Sequence, residues 1–463
     1  MYHIILVTDN VKIEYMKKNK IDYILYAMPF VFYIFFAIYD GPIICDDTHT
    51  YLNMDIMREP LYPLFLRLFN IIFGNKIYLN IVVLVQGIIM ALALCYIINE
   101  LSKRFKLNSI FKISILIIFI CVSLLSKYAS KKNALFLNCI ISEAITYPLY
   151  MFFICFLLSY LILKDNKYLL YSSITSFLLI STRKQMYVTL ILIIIAIVYI
   201  AIVTKKYKEF LIKMLIVFLC IFGGNKVFDF CYTKIINDVN VTHTSDNRFI
   251  NTMIIYCGDE SLSKFIEDYT VKNLYLDIIK ECRKEKVLKE YESGSWYEKS
   301  LHFSNSYDKV QQIVWNVERK YIQDNYDVSV AEREIIVDEY NDVIIDSLLF
   351  NNKLGLFDTI IKNFLFGLVI TISAARPEFV IVSIIIFIAY FILLIINILK
   401  KGFDNSVIFS LLILSSIIIN TAIVSIVIFC QTRYTIYNLG FFYVSMIILF
   451  NSLLNEWRAR NEK

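Results

Sequence analysis

Long uncharged apolar runs alternate along the chain with short polar segments, and one polar block of about 120 residues interrupts them. Residues 186–203 (MYVTLILIIIAIVYIAIV) and 379–399 (FVIVSIIIFIAYFILLIINIL) contain no charged side chain. A bilayer crossing needs roughly 20 mostly apolar helical residues, and these runs meet that requirement. The same reading predicts spans at about 21–39, 77–98, 109–126, 143–163, 168–182, 186–204, 210–230, 378–399, 407–429 and 436–454. The fifth is short and rich in Ser and Thr, so it is expected to pack inside the bundle. Segment 353–374 is apolar but carries Asp358 and Lys362, and is read as an interfacial or re-entrant helix. The predicted fold class is an all-α polytopic membrane protein of about ten transmembrane helices with a helical extracytoplasmic insertion.

Charge placement orients this pattern. Lys and Arg concentrate in short cytoplasmic loops. Lys17, Lys18 and Lys20, then Lys103, Arg104 and Lys106, Lys164 and Lys167, Lys205, Lys206 and Lys208, Lys400 and Lys401, and finally Arg458, Arg460 and Lys463 fall on one side if the N-terminus is inside. That assignment needs an even number of spans. It makes 1–20 a cytoplasmic N-terminus without a cleavable signal and 21–230 an N-terminal transmembrane module whose first loop is 40–76. Residues 231–352 become an extracytoplasmic insertion, 375–454 a C-terminal module and 455–463 a cytoplasmic tail. The insertion mixes charge signs at helical spacing and holds Trp296 and Trp315, read as small-core aromatics.

Basic residues on the other side are not needed for topology. Lys127, Lys131, Lys132, Arg183, Lys184, Arg376 and Arg433 fall there, at the ends of spans, and together suggest a cavity for an anion. Hydrophobic residues make up 58% of the chain and charged ones 19%. No concentrated basic block exists, which excludes a nucleic-acid partner and leaves the bilayer as the surrounding medium. The ten cysteines have neither metal-site nor disulfide-framework spacing. His49 and His243 are isolated, and no metal or other cofactor is expected.

Loop 40–67 (DGPIICDDTHTYLNMDIMREPLYPLFLR) carries the candidate chemistry. It holds three of the six prolines, Pro42, Pro60 and Pro63, and four aspartates, Asp40, Asp46, Asp47 and Asp55. Proline shapes the backbone, and carboxylates beside apolar surroundings need a partner or a task. The stretch from Asp47 to Leu52, followed by Arg58-Glu59-Pro60-Leu61-Tyr62-Pro63-Leu64, resembles the first-loop signature of the GT-C superfamily of membrane glycosyltransferases. The similarity is to the bacterial branch related to dolichyl-phosphate-mannose-protein mannosyltransferases and aminoarabinose transferases. Gly74-Asn75 with Gln86, Ser142-Glu143, Arg183, and Gln431-Thr432-Arg433-Tyr434 are similar to later features of that superfamily. The chain departs from the aminoarabinose branch in having no soluble domain after the last span.

The resemblance implies transfer of a sugar, with inversion, from a polyprenyl-phosphate donor to a glycan, lipid or protein acceptor at the outer face of a bacterial plasma membrane. Some relatives use a divalent metal ion. The residue chemistry points the same way. Such transfer needs a base near the acceptor hydroxyl and cations around the departing phosphate. Asp47 is the candidate base, with Asp46 as the alternative and a helix cap as the plain structural reading. Glu143 is the candidate for orienting the acceptor or assisting the base. Arg183, Lys184 and Arg433 are candidates for the phosphate, since an arginine fork matches it. Lys131 and Lys132 are weaker ones, and Tyr51, Arg58 and Tyr434 complete the expected substrate-binding set. An O-antigen-type polymerase or ligase, and a transporter or flippase, are the competing readings.

Overall fold

The computed structural model describes residues 20–129, 132–244, 246–373 and 377–461. Every named element among them is a helix, and the sheet-like feature is a single parallel bridge between Ile43 and Cys139. In chain order the helices are α1 (Lys20–Tyr39), α2 (Thr48–Leu52), α3 (Leu61–Phe73), α4 (Tyr78–Phe105), α5 (Ser109–Ala129), α6 (Glu143–Leu163), α7 (Asn166–Ile180), α8 (Tyr187–Thr204), α9 (Tyr207–Phe218) and α10 (Gly224–Ile236). They continue as α11 (Asp246–Tyr256), α12 (Tyr269–Lys284), α13 (Trp296–Asn325), α14 (Val330–Leu348), α15 (Lys353–Ile372), α16 (Pro377–Lys401), α17 (Asn405–Val427) and α18 (Thr432–Asn461). Nine described segments are long and apolar enough to cross a membrane. The architecture is that of a multi-pass helical membrane protein.

Hydrogen bonds define the two ends of the bundle. At one end Lys401 Nζ donates to Ser452 Oγ over 2.8 Å, and Arg104 donates to Ser159 over 2.6 Å. At the other, Lys127 pairs with Asp40 at 2.6 Å and the amide of Leu61 donates to the Ser181 carbonyl at 3.0 Å. The lysine-rich turns at 103–106, 164–167, 204–206 and 400–401 gather at the first end and loop 40–60 lies at the second. A turn of π-helix at Leu219–Gly223 joins α9 to α10 into one continuous crossing. That crossing runs on to Ile236, past the predicted limit of 230. Hydropathy ends early there because the last turns carry Asp229, Tyr232 and Thr233, which are buried against protein.

Three apolar segments sit at the margin of the span count: α1, whose apolar stretch Tyr23–Tyr39 falls short of a full crossing among the described residues, α7 and α15. The fifth, α7, has only 15 residues. Its polar face is satisfied within the bundle. Ser172, Ser173 and Thr175 donate to carbonyls four residues back, and Ser176 shares a hydrogen bond with Thr189 of α8. Leu170, Tyr171 and Ile174 remain exposed on its other side, where lipid would lie. Helix α15, read from the sequence as interfacial or re-entrant, is long and apolar enough to cross. Asn363, in its middle, bonds Ile428 and Cys430 at the loop end of α17 and α18. Its last residue, Ile372, accepts from Tyr443, and Ser373 meets Ser383 of α16. Helix α16 then runs to Lys401 at the lysine end.

Residues 246–348 form a separate helical layer on the loop end. Capping boxes at Ser295 and Ser329 start α13 and α14. Ile254, Tyr275, Ile278, Val310, Val314 and Ile344 form its core. Trp296 packs on a small apolar cluster around Tyr297 and Phe366, whereas the Trp315 ring meets the guanidiniums of Arg248 and Arg319.

This layer also buries Glu318, whose Oε1 has no hydrogen-bond partner. Burial, only partly offset by Arg248, pushes its carboxyl from 4.5 up to about 8. Between those values the folded chain keeps a proton that the unfolded chain has lost, so stability falls as pH rises from 4.5 to about 8. Glu318→Gln is expected to flatten this decline and raise the unfolding midpoint at the alkaline end. Unfolding followed across that pH range in detergent checks it; an unchanged slope would refute the assignment.

Candidate functional site

The first loop is fixed before its charged groups come into play. Asn138 Nδ2 donates to the carbonyls of Phe36 and Gly41, and Ile43 exchanges backbone hydrogen bonds with Asn138 and Ile140. The fully buried Thr48 hydroxyl donates to Ile140 O and accepts from the Cys45 amide. These bonds tie the loop to segment 132–142, which precedes Glu143. Further along, Glu59 accepts from the Lys184 amide at 2.9 Å, and Leu61 bonds Ser181. The corner between α7 and α8, which carries Arg183, is thereby held against the same loop. Tyr62 donates to buried Gln86, Gln86 donates to Leu137 O, and the Tyr62 ring meets Tyr51 edge-on at 5.1 Å.

Five charged side chains from four parts of the chain converge on this frame. Asp47 accepts from Arg58 at 2.8 Å on one oxygen and from Arg433 at 3.2 Å on the other. Glu143, at the first position of α6, pairs with Arg183 and receives Arg433 Nε at 3.3 Å. Arg433 therefore bridges the two carboxylates. Tyr434 lies beneath both Arg183 and Arg433, at 5.3 and 5.1 Å from its ring centre. Arg58 covers Tyr51 at 4.5 Å and also donates to Thr50, while the Tyr51 hydroxyl meets Ser142 at 3.0 Å. Three guanidiniums face two carboxylates, leaving one positive charge in excess. Arg433 is the most exposed member, with 43% of its side chain accessible, against 6% for Glu143.

The electrostatics follow from this crowding. Burial alone would raise the Asp47 carboxyl, but Arg58 and Arg433 outweigh it and hold it at about 2, below its ordinary 3.8. The Arg183 guanidinium, desolvated yet facing Glu143, is held well above its usual range and stays charged. Although Asp47 precedes α2, its side chain makes no cap hydrogen bond there. The arginines take both its oxygens.

The sequence-derived candidates divide. Asp47, Glu143, Arg58, Arg183, Arg433, Tyr51 and Tyr434 come together. Asp46 is exposed one residue away, and His49 is exposed as well. Lys132 is exposed on the neighbouring segment. Lys131 and Arg376, like Lys17, Lys18 and Lys463, lie outside the described residues. Lys184 faces elsewhere: it lines a small cavity of about 20 Å³ with Glu59, Asn225, Asp229 and His243. Its backbone turns it there because the Glu59 carboxylate captures its amide. His243 Nδ1 pairs with Asp229 at 2.5 Å in that cavity's wall. Lys127, counted among the outer cations, is used up by Asp40.

Two site residues went unread in the sequence. Gln185 donates to Asn420 Oδ1 and to the Tyr434 carbonyl, and Asn420 also donates to that carbonyl, so the pair fixes the first turn of α18 and with it Arg433. Asn420, an amide inside an apolar segment, was the available signal; Gln185 follows Arg183 and Lys184 in a polar corner and offered none. Among the described residues no group of three or more His, Cys, Asp or Glu side chains is placed to hold a metal ion.

No protein-family model, curated protein or solved structure matches the chain.

Proposed function

We propose that the protein is a glycosyltransferase that moves a sugar from a polyprenyl-phosphate donor to an acceptor hydroxyl at the outer face of a bacterial plasma membrane. The observation that carries this reading is Arg433, the most exposed member of the cluster, bridging Asp47 and Glu143. Asp47 takes the proton of the acceptor hydroxyl. The acceptor oxygen bonds to the anomeric carbon as the bond from that carbon to the phosphate oxygen breaks, and configuration inverts. The electron pair leaves on the phosphate, where Arg183 and Arg433 balance the charge. Glu143 keeps both arginines in place and orients the acceptor. An Asp47 held at about 2 is a weak base. Donor phosphate that engages Arg433 draws that cation off the carboxylate and makes it more basic where the acceptor arrives.

The test supplies purified protein in liposomes with polyprenyl-phosphate-linked sugars and candidate acceptors. Release of free polyprenyl phosphate that depends on acceptor supports the reading. Repeat-unit polymerisation would point to a polymerase, and movement of intact donor between leaflets to a flippase; either outcome overturns it. Arg433→Gln is expected to weaken donor binding by roughly ten- to a hundred-fold, the usual worth of a charge-assisted hydrogen bond. It also shifts Asp47 from about 2 toward 3.8. The acid limb of the pH–rate profile then moves to higher pH, because protonated Asp47 cannot accept the acceptor's proton. Unaltered donor affinity together with an unmoved limb would remove Arg433 from the site.

A further inference from the structure

Cys45 and Cys139 sit on the two segments that deliver the site's carboxylates. Cys45 precedes Asp47 by two residues, and Cys139 precedes Glu143 by four. Neither lies in a membrane-crossing helix. The backbones on which they stand are locked together. The parallel bridge pairs Ile43 with Cys139, the Ile43 amide donates to Asn138 O at 2.8 Å, and the Ile140 amide donates to Ile43 O at 3.0 Å. Thr48 completes the clamp, because its hydroxyl accepts from the Cys45 amide at 2.8 Å and donates to Ile140 O at 3.0 Å. Within this clamp Cys139 Sγ donates to the Leu135 carbonyl at 3.8 Å, and Thr48 holds the Cys45 backbone beside Ile140, the residue after Cys139. Cys139 is buried and Cys45 is half-buried, so a small reagent reaches the pair from the Cys45 side.

We infer that Cys45 and Cys139 form a reversible redox pair that closes into a disulfide and fixes the Asp47 and Glu143 segments to each other. Disulfide formation needs two thiols whose backbones already lie close, since a bridge across misplaced backbones stores strain. The parallel bridge between Ile43 and Cys139, with Thr48 linking the Cys45 amide to the Ile140 carbonyl, sets the two backbones side by side. Reactivity favours the same pair. The neighbouring Cys139 thiol and the positive charge of Lys132 hold the Cys45 thiol below its ordinary value despite partial burial. Cys45 is then the attacking thiolate.

The oxidant is an organic disulfide, RSSR. The Cys45 thiolate attacks one of its sulfurs and expels RS⁻, giving a mixed disulfide. Cys139 loses its proton and attacks the Cys45 sulfur, expelling the second RS⁻. Two protein thiols are oxidised, one RSSR is reduced to two RSH, and two protons pass from the protein thiols to the released thiolates. The other cysteines have no comparable partner among the described residues: Cys155, Cys282 and Cys430 are buried singly in apolar cores.

The experiment treats the purified full-length protein in detergent with oxidised glutathione, and a second sample with a phosphine reductant. Both are blocked with N-ethylmaleimide, digested and examined by mass spectrometry. The expected result is a linked peptide joining Cys45 to Cys139 in the oxidised sample, lighter by two hydrogens than the sum of its parts, with both residues alkylated after reduction. Oxidant should also raise the unfolding midpoint of the natural protein and leave that of Cys45→Ser unmoved. Alkylation of both residues regardless of oxidant, a stable glutathione adduct on Cys45, or linkage of Cys45 to another cysteine would each overturn the inference. None of these readouts uses sugar transfer, so a linked peptide in a protein without transferase activity upholds the pair while removing the proposed reaction.

Discussion

Replacing Asp47 with asparagine is expected to lower sugar transfer by about 10²–10⁴-fold while leaving donor affinity equal or improved. The asymmetry comes from what Asp47 touches. Arg58 and Arg433 hold one carboxylate oxygen each, so the amide keeps the size of the group and one acceptor oxygen but removes its charge. Asparagine cannot take a proton from the acceptor hydroxyl, so turnover suffers. Arg433, relieved of one anionic partner, has more to offer a donor phosphate, so binding does not. Equilibrium binding of a polyprenyl phosphate and single-turnover transfer, measured on the same preparation, separate the two effects. Asp46→Asn is the matched control. Asp46 is exposed and is expected to change transfer by about two-fold or less. If Asp47→Asn turns over near the natural rate, Asp47 is not the base; if Asp46→Asn carries the loss instead, the assignment within the pair reverses.

Local patterns read well from the chain because the membrane imposes them locally. An apolar run such as 379–399 has few other fates, and the lysines that follow it mark one end of the bundle. The prolines at 42, 60 and 63 signalled a shaped loop, and α3 begins where Pro60 allows it. The site was legible by residue type but not by pairing. Arg58 was read as a group awaiting substrate, whereas in the structure it holds Asp47. Lys184, next to Arg183, was grouped with it, yet the corner between α7 and α8 turns the two side chains to different places. Lys127 looked like a spare cation because Asp40, its partner, lies far away in sequence. The thiol pair was hidden for the same reason: spacing along a chain says nothing about a backbone bridge between two loops. The helical layer misled most. Arg248, Glu318 and Glu334 occur in segments that read as ordinary charged surface helices, and only the packing of α11 against α13 and α14 buries them.

That burial sets the other large expected effect, Arg248→Met, which should cost about 3–5 kcal/mol of stability. Arg248 is fully buried. It pairs with Glu334 at 2.6 Å, reaches Asp338 at 3.4 Å, donates to the Met57 sulfur at 3.0 Å and lies over Trp315. Methionine fills much of the space but leaves the Glu334 carboxylate in a dry environment. Arg319 and Arg333 also hold Glu334, at 3.0 and 2.8 Å, but both are partly solvated and cannot replace a guanidinium in the interior. The double variant Arg248→Met/Glu334→Leu removes both buried charges and is expected to recover roughly half of the loss or more, since an apolar pair of similar volume often substitutes for a buried ion pair. Chemical unfolding of the four proteins in one detergent gives the coupling directly. A single Arg248→Met variant within about 0.5 kcal/mol of the natural protein would show that Glu334 finds water or its remaining arginines at no cost. The prediction bears on the site as well. Met57 belongs to the first loop, between Asp47 and Glu59, so the buried arginine is where the helical layer grips the loop that presents Asp47. Losing that grip should slow transfer even at temperatures where the Arg248→Met protein is folded. A stability loss with an unchanged transfer rate per folded molecule would mean that Asn138 and Thr48 hold the loop without help from the layer above it.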